Sequence, residues 1–254
     1  MERERKNITI YLVISAILFV AIKIIEFATQ DEPPMIGPLY IEAIVKYLTI
    51  VCNTIMTAYF YFKYGRNDAG QNAATKLDTG ACSVGGTASS PANLIAYGLF
   101  ATCAADFFLT LISSSASYLP GLVLFCVVES IYMIYLRSGV VSIAVRTVLL
   151  VAGLFALSAT HMLSATTAVG VLNMVLIVVN VPQAWLSKKA DAPLLFKLGI
   201  TLFLGCDASI MVRTLTTGTV HDIAAWIVWT CYVPAQILIT MSYVQSCIKT
   251  EPAA

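Results

Sequence analysis

The chain has 254 residues, of which 59% are hydrophobic and only 11% are charged, with a formal net charge of +1. A soluble domain carries roughly 25% charged residues, so the composition excludes an ordinary soluble domain and favours an integral membrane protein. The near-neutral charge gives no sign of a nucleic-acid partner.

Eight apolar runs are each long enough to cross a bilayer, which takes about 20 residues in a helix. Together they use most of the chain, so we expect a single all-α transmembrane domain over 1–254 that crosses the membrane several times. The runs cover 8–28, 38–62, 93–113, 119–137, 141–159, 164–186, 194–214 and 223–247.

The first run contains two charged residues near its outer end, Lys23 and Glu26. The run is too long for the apolar part of a signal peptide and lacks a small-residue cleavage site, so we expect a retained first helix. Because the two residues are three positions apart on a helix, we expect them to pair with each other.

The basic residues mark one side of the membrane. Lys and Arg precede the first run and flank alternate connections, whereas the opposite connections hold almost none. Positively charged loops remain cytoplasmic, so the sequence predicts cytoplasmic N- and C-termini, in agreement with an even number of spans. The only long connection, 64–92, is rich in Gly, Ala, Ser and Asn and is predicted to be a flexible cytoplasmic loop.

Four charged residues lie at a similar depth in four different runs. Asp106 and Asp207 each lie about seven residues, or roughly 10 Å, from the outer end of an outward-running helix. Lys46 and Glu129 lie about eight and ten residues into helices that enter from outside. A charge at this depth is costly unless it faces a partner or a hydrated cavity. We expect a charged pocket if the four helices face one cavity; the alternative is a structural ion-pair network in which Lys46 neutralises an aspartate.

Other polar residues complete the set of candidate site residues. Tyr132 and Tyr232 are candidates for a substrate pocket or for the aromatic belt at the membrane interface. Gln236 is a candidate for contact with a substrate or, like Asn173 and Asn180, for hydrogen bonds between helices. Arg213 lies near a helix end, where it would anchor the membrane interface or reach a lipid phosphate. Only two histidines are present and no H-E-x-x-H pattern occurs, so we expect neither a metal site nor a cofactor.

Five stretches, in order along the chain, resemble motifs of the YhhN-like lysoplasmalogenases, a family of eight-helix membrane proteins. The resemblance extends over the second to the eighth run. The stretches are "YIEAIVKYLTI", "YGLFATCAADFFLTL", "YLPGLVLFCVVESIYMIYL", "LGITLFLGCDASIMV" and "YVPAQILI".

The chain departs from the family motifs at three positions beside the candidate site. Ala105 stands where the family usually has Gly before its first aspartate, and Cys206 stands where it has Ser before its second. Glu129 replaces the histidine of the family's G-L-x-x-F-x-x-x-H-x-x-Y helix, while Tyr132 keeps its place. Since a glutamate, like a histidine, can bind and release a proton, Glu129 is a candidate functional substitute for that histidine.

The resemblance implies hydrolysis of the vinyl ether bond of a lysoplasmalogen, with Asp106 and Asp207 as the catalytic pair. The products would be a fatty aldehyde and a glycerophospho-ethanolamine or -choline. Such a bond is cleaved by protonation of its β-carbon, which needs a carboxylic acid that remains protonated near neutral pH. Burial and a neighbouring carboxylate both favour the protonated form, and a second, ionised carboxylate stabilises the cation.

The lysoplasmalogenase hypothesis leaves the roles of the other candidate residues open. Lys46 would hold one aspartate ionised or contact the substrate phosphate, and Glu129, Tyr132, Tyr232, Gln236 and Arg213 would contact the lysophospholipid or tune protonation. Two other functions remain open: a proton- or ion-coupled transporter, since carboxylates inside a membrane also suit a proton relay, and the same fold acting on another lysolipid. The headgroup, the membrane and the oligomeric state are not set by the sequence.

Overall fold

The computed structural model describes residues 2–28, 35–36, 39–65, 91–112, 115–186 and 192–249. Within these residues it contains eight long helices, and each of them is long and apolar enough to cross a membrane. The prediction of an all-α, eight-span fold is therefore confirmed. The helices are α1 Glu2–Ala28, α2 Ile41–Phe60, α3 Pro91–Asp106, α4 Ser115–Tyr135, α5 Val140–Ala159, α6 Ala165–Leu186, α7 Leu194–Leu215 and α8 Thr219–Lys249.

Short segments of other structure adjoin α2 and α3. Before α2, strands β1 (Met35–Ile36) and β2 (Leu39–Tyr40) pair antiparallel. Helix α2 continues as a π-helical turn at Tyr61–Gly65, and α3 continues as another at Phe107–Ile112. The wider turn on α3 begins directly after a candidate catalytic residue, and such turns are frequent at functional sites.

Apolar side chains cover the outside of the bundle, as expected where lipid is the solvent. Helix α5 is the clearest case, because Val140, Val148 and Phe155 are all largely exposed and Arg146 is the one residue of this helix that is buried. This helix packs mainly against α6. It therefore lies at the periphery and directs one charged side chain inward.

The other helices enclose the interior. Helix α8 packs along α7 and also contacts α2 and α3, while α4 packs between α3 and α6. Gly199 allows the close approach of α7 to α8, since a Cβ there would lie 2.7 Å from Ile239 Cγ1 and 3.0 Å from the Ala235 carbonyl oxygen. Small residues at such contacts allow membrane helices to pack closely. Polar side chains of α3, α4, α6, α7 and α8 thereby meet inside.

Two predictions on organisation remain predictions. Most of the expected loop 64–92, namely residues 66–90, lies outside the described residues. The cytoplasmic placement of both termini stays an expectation from the distribution of basic residues.

Candidate active site

The two aspartates singled out by the sequence lie together in the bundle interior. The exposed fraction is 4% for Asp106 and 8% for Asp207, and the two carboxyl groups are close enough to interact electrostatically. Each has one hydrogen-bond donor from another helix. The structure therefore brings together two carboxyl groups shielded from water.

Asp106 is held by a tyrosine of α8. The Tyr232 hydroxyl donates a hydrogen bond to Asp106 Oδ2, and both side chains are buried. The Tyr232 ring is fixed by its neighbours, with centroid distances of 5.3 Å to Trp229 and 5.6 Å to Phe203. Because aromatic packing restricts the ring, the hydroxyl is held in place for the aspartate.

Asp207 is held by an asparagine of α6. Asn173 Nδ2 donates to Asp207 Oδ2 over 2.8 Å, and the Asn173 side chain is itself buried. The other end of this amide, Oδ1, is buried without a hydrogen-bond partner. An unpaired buried acceptor requires an explanation, and one that lies next to a candidate catalytic residue is available to a substrate hydroxyl or a water.

Glu129 is the third buried carboxyl group of the cluster. It is fully buried on α4 and interacts electrostatically with Asp207. Asn180 Nδ2 donates to Glu129 Oε2 over 2.7 Å and to the Glu129 backbone carbonyl over 2.9 Å, whereas Oε1 has no hydrogen-bond partner. The three predicted carboxylates are thus neighbours inside the bundle, and we call them the carboxylate cluster.

Lys46 pairs with glutamates at the edge of this region. Its ammonium lies 2.9 Å from Glu26 Oε1, donates to Glu42 and lies 4.6 Å from the centroid of the Trp229 ring. Among the described residues, its ion pairs are with these two glutamates and with neither aspartate. Its route to the carboxylate cluster is indirect, since Trp229 packs on Tyr232. The expected pair of Lys23 with Glu26 is present at 2.7 Å.

The remaining candidate residues lie at different distances from the cluster. Tyr132 is fully buried beside Glu129, and its ring packs against Phe196 at a centroid distance of 5.3 Å. Gln236 lies one helical turn beyond Tyr232 and is 1% exposed, with both amide atoms unpartnered. Arg213 is exposed near the end of α7. The first two line the interior, whereas Arg213 lies on the outside of the bundle.

Three residues have more specific positions than the sequence indicated. Asn173 and Asn180 lie in apolar runs, where the sequence alone predicts no more than a hydrogen bond between helices, yet each holds a different member of the carboxylate cluster. Arg146 is one of the basic residues that flank alternate connections in the sequence, yet in the structure it is buried and donates to Asn180. The sequence feature that could have identified Arg146 as an interior residue is its position, six residues inside an otherwise apolar helix.

The arrangement is suited to proton transfer by carboxyl groups. Three of them share the buried interior, and Glu129 Oε1, Asn173 Oδ1 and the Gln236 amide offer unpartnered polar atoms. Among the described residues there is no group of three His, Cys, Asp or Glu side chains with the geometry of a metal site. Clusters of carboxyl groups with different environments commonly divide the roles of acid and charge stabiliser.

Comparison with known proteins identifies a family over most of the chain. A model of the YhhN family matches residues 41–243, which run from the start of α2 into α8 and include the whole carboxylate cluster. No curated protein and no solved structure matches the chain.

Proposed function

The chain belongs to the YhhN family, and from this premise we propose that it is an integral membrane hydrolase that cleaves the vinyl ether bond of lysoplasmalogens. The observation that carries the proposal is the pair Asp106–Asp207, two buried carboxyl groups in electrostatic contact, each with one neutral hydrogen-bond donor. The motif resemblance supports the same pair as catalytic residues.

The reaction begins with transfer of a proton from a carboxylic acid to the β-carbon of the vinyl ether. This breaks the C=C π bond and gives an oxocarbenium cation, to which a water adds at the carbon next to oxygen. The water loses a proton to a carboxylate, and the resulting hemiacetal collapses to a fatty aldehyde and a glycerol hydroxyl group. No redox partner is needed, and the proton donated at the start is regained at the end.

The buried site favours each of these steps. A carboxyl group shielded from water retains its proton more readily than an exposed one, which provides the acid. A neighbouring ionised carboxylate stabilises the cation as it forms, which is the division of labour in glycosidase carboxylate pairs. Either aspartate is suited to donate the proton while the other stabilises the cation, since both are buried and each is held by one neutral donor.

Other side chains are suited to binding the lysophospholipid. The unpartnered amide of Gln236 lies one turn from Tyr232 and offers both a donor and an acceptor to a glycerol hydroxyl or a water. Tyr132 and Glu129 line the same interior. We propose that Lys46, which is paired with glutamates and with neither aspartate, and Arg213, which is exposed, act on the headgroup phosphate rather than at the reacting carbon.

The proposal is tested with purified protein and a panel of lysolipids. Asp106→Asn and Asp207→Asn keep the side-chain shape but remove the acid, so each should abolish release of fatty aldehyde from lysoplasmalogen. Asp222→Asn is the matched control, because Asp222 is exposed in the first turn of α8. Retention of full activity by both aspartate variants, with each folded, would overturn the catalytic assignment.

The same panel separates the competing functions. A free fatty acid as the product would indicate ester cleavage, and therefore the same fold acting on another lysolipid. A coupled transporter would be indicated if no lipid gave a product and the protein instead carried a solute into proteoliposomes. The Asp106→Asn and Asp207→Asn variants should then lose that flux.

A further inference from the structure

Arg146 is connected to the carboxylate cluster by a chain of hydrogen bonds. Its guanidinium donates to Asn180 Oδ1, and the Nδ2 of the same amide donates to Glu129 Oε2 over 2.7 Å. We infer that Arg146 is the counter-charge of Glu129 and acts through Asn180 as a positioning residue for the carboxylate cluster. Its effect on catalysis rests on the proposed hydrolase function, whereas the charge pairing does not.

The position of Arg146 requires a compensating charge. It is 7% exposed and is the one buried residue of α5, whose other faces are apolar. An arginine inside a membrane protein is costly unless an opposite charge or a dense set of hydrogen bonds compensates for it. In the described part of the chain, Arg146 has no carboxylate within ion-pair distance, and the acidic group with which it interacts electrostatically is Glu129.

The hydrogen-bond partners of the guanidinium are all neutral. They are Ser142 on the same helix, and Asn180 and Gln183 on α6, the latter at 3.2 Å. Neutral oxygens orient the guanidinium without neutralising its charge. The uncompensated positive charge is therefore directed along α6 toward Glu129.

Asn180 is oriented to transmit this charge. One end of its amide accepts from the cation and the other end donates to the carboxyl group, so the dipole is aligned with both. A donor that is polarised from behind makes a stronger hydrogen bond. The Glu129 carboxyl group thereby gains a fixed orientation, and the connection to Arg146 offsets part of the cost of burying its charge.

Only Glu129 has such a partner among the three carboxyl groups. Asp106 is held by the Tyr232 hydroxyl and Asp207 by the Asn173 amide, and both donors are neutral. We therefore assign the first negative charge of the cluster to Glu129. Glu129 and Asp207 interact electrostatically, so a negative charge on one favours the neutral form of the other. A charge held on Glu129 by Arg146 would therefore favour the proton on the aspartate pair that the proposed reaction consumes.

Infrared difference spectroscopy tests the charge assignment without a substrate. Subtracting the Glu129→Gln spectrum from that of the unsubstituted protein should reveal the bands of an ionised carboxylate. In an Arg146→Gln background the same subtraction should reveal a protonated carboxyl band, and in an Arg146→Lys background the carboxylate bands should return. A protonated band in the unsubstituted protein, or no change on Arg146→Gln, would overturn the inference.

A second measurement keeps the test decisive if Arg146→Gln does not fold. Asn180→Leu retains the arginine but cuts the connection, so it should shift Glu129 toward the protonated form. Arg137→Gln is the matched control, because Arg137 is an exposed arginine in the α4–α5 turn and has no described contact with the cluster. A shift as large in Arg137→Gln would mean that net charge, and not the Arg146 pairing, sets the state of Glu129.

Kinetics show whether the pairing acts on the reaction. Arg146→Gln should lower kcat for aldehyde release by about tenfold or more at nearly unchanged KM, with Arg146→Lys restoring most of it. A rise in KM at unchanged kcat would indicate instead that Arg146 contacts the lipid phosphate, and would overturn the positioning role. If the unsubstituted protein cleaves no lysoplasmalogen, the proposed function fails, while the infrared result still decides the pairing.

Discussion

Removal of the Tyr232 hydroxyl tests how much the Tyr232–Asp106 hydrogen bond contributes to stability and to activity. Tyr232→Phe deletes one oxygen and leaves Asp106 Oδ2 without its donor in a site that is only 4% exposed. A buried polar group left unsatisfied costs about 1–3 kcal/mol. We therefore expect the free energy of unfolding to fall by about that amount, because so buried a site gives bulk solvent little access to replace the hydroxyl.

The same change should be visible in activity. The proposed proton transfer requires a fixed Asp106 carboxyl group, and 1–3 kcal/mol lost from the transition state corresponds to a fall of about 5- to 150-fold in kcat. The assay is release of fatty aldehyde from lysoplasmalogen, with unfolding followed by heat or denaturant in the same detergent.

Tyr97→Phe is the matched control for this substitution. The Tyr97 hydroxyl is hydrogen-bonded to that of Tyr61 over 3.1 Å, but the Tyr97 side chain is exposed near the start of α3. Loss of an exposed bond should change the unfolding free energy by no more than about 0.5 kcal/mol. If Tyr232→Phe behaves like Tyr97→Phe in both stability and kcat, the reasoning from the buried Tyr232–Asp106 bond is refuted.

Two further substitutions separate packing from chemistry. Gly98→Ala would place a Cβ 2.4 Å from Tyr132 Cε1, so it should lower the unfolding free energy by about 1–3 kcal/mol in a thermal assay. Gly170→Ala is the control and should be neutral or stabilising, because its Cβ would have its nearest neighbour at 3.9 Å. Equal effects of the two substitutions would contradict the close packing of Gly98 on Tyr132. Lys46→Met should lower the unfolding free energy by about 1.5–3 kcal/mol, because it removes a charged donor from Glu26. The kcat for aldehyde release should nevertheless stay within about threefold of the original. A fall in kcat as large as that of an aspartate variant would mean that Lys46 takes part in the reaction.

The eight spans could be read from the sequence because bilayer thickness imposes a simple rule on it. A helix must present about 20 apolar residues to cross the hydrocarbon layer, and this requirement is local. The run 141–159 and the helix α5, Val140–Ala159, differ at one end by a single residue. The first helix is the least well placed, since it begins at Glu2 rather than at residue 8, because charged residues near a helix end break the apolar pattern without breaking the helix.

The three members of the carboxylate cluster were also predictable. A carboxylate deep in an apolar run is energetically costly and is therefore usually functional or paired. This argument alone singled out Asp106, Glu129 and Asp207. Matching depths on antiparallel and parallel helices then suggested a shared layer. Lys46 met the same criteria, yet it pairs with Glu26 and Glu42, because depth does not specify which way a helix face points.

The sequence by itself therefore determined the membrane class, the number of spans and which acids lie inside apolar runs, all of which depend on hydropathy along the chain. Only the tertiary structure decided which donor meets which acid. Tyr232 reaches Asp106 across 126 positions of sequence, and Asn180 reaches Glu129 across 51. Such pairs depend on how each helix is rotated about its axis, and that rotation is set by packing between distant segments rather than by the local pattern.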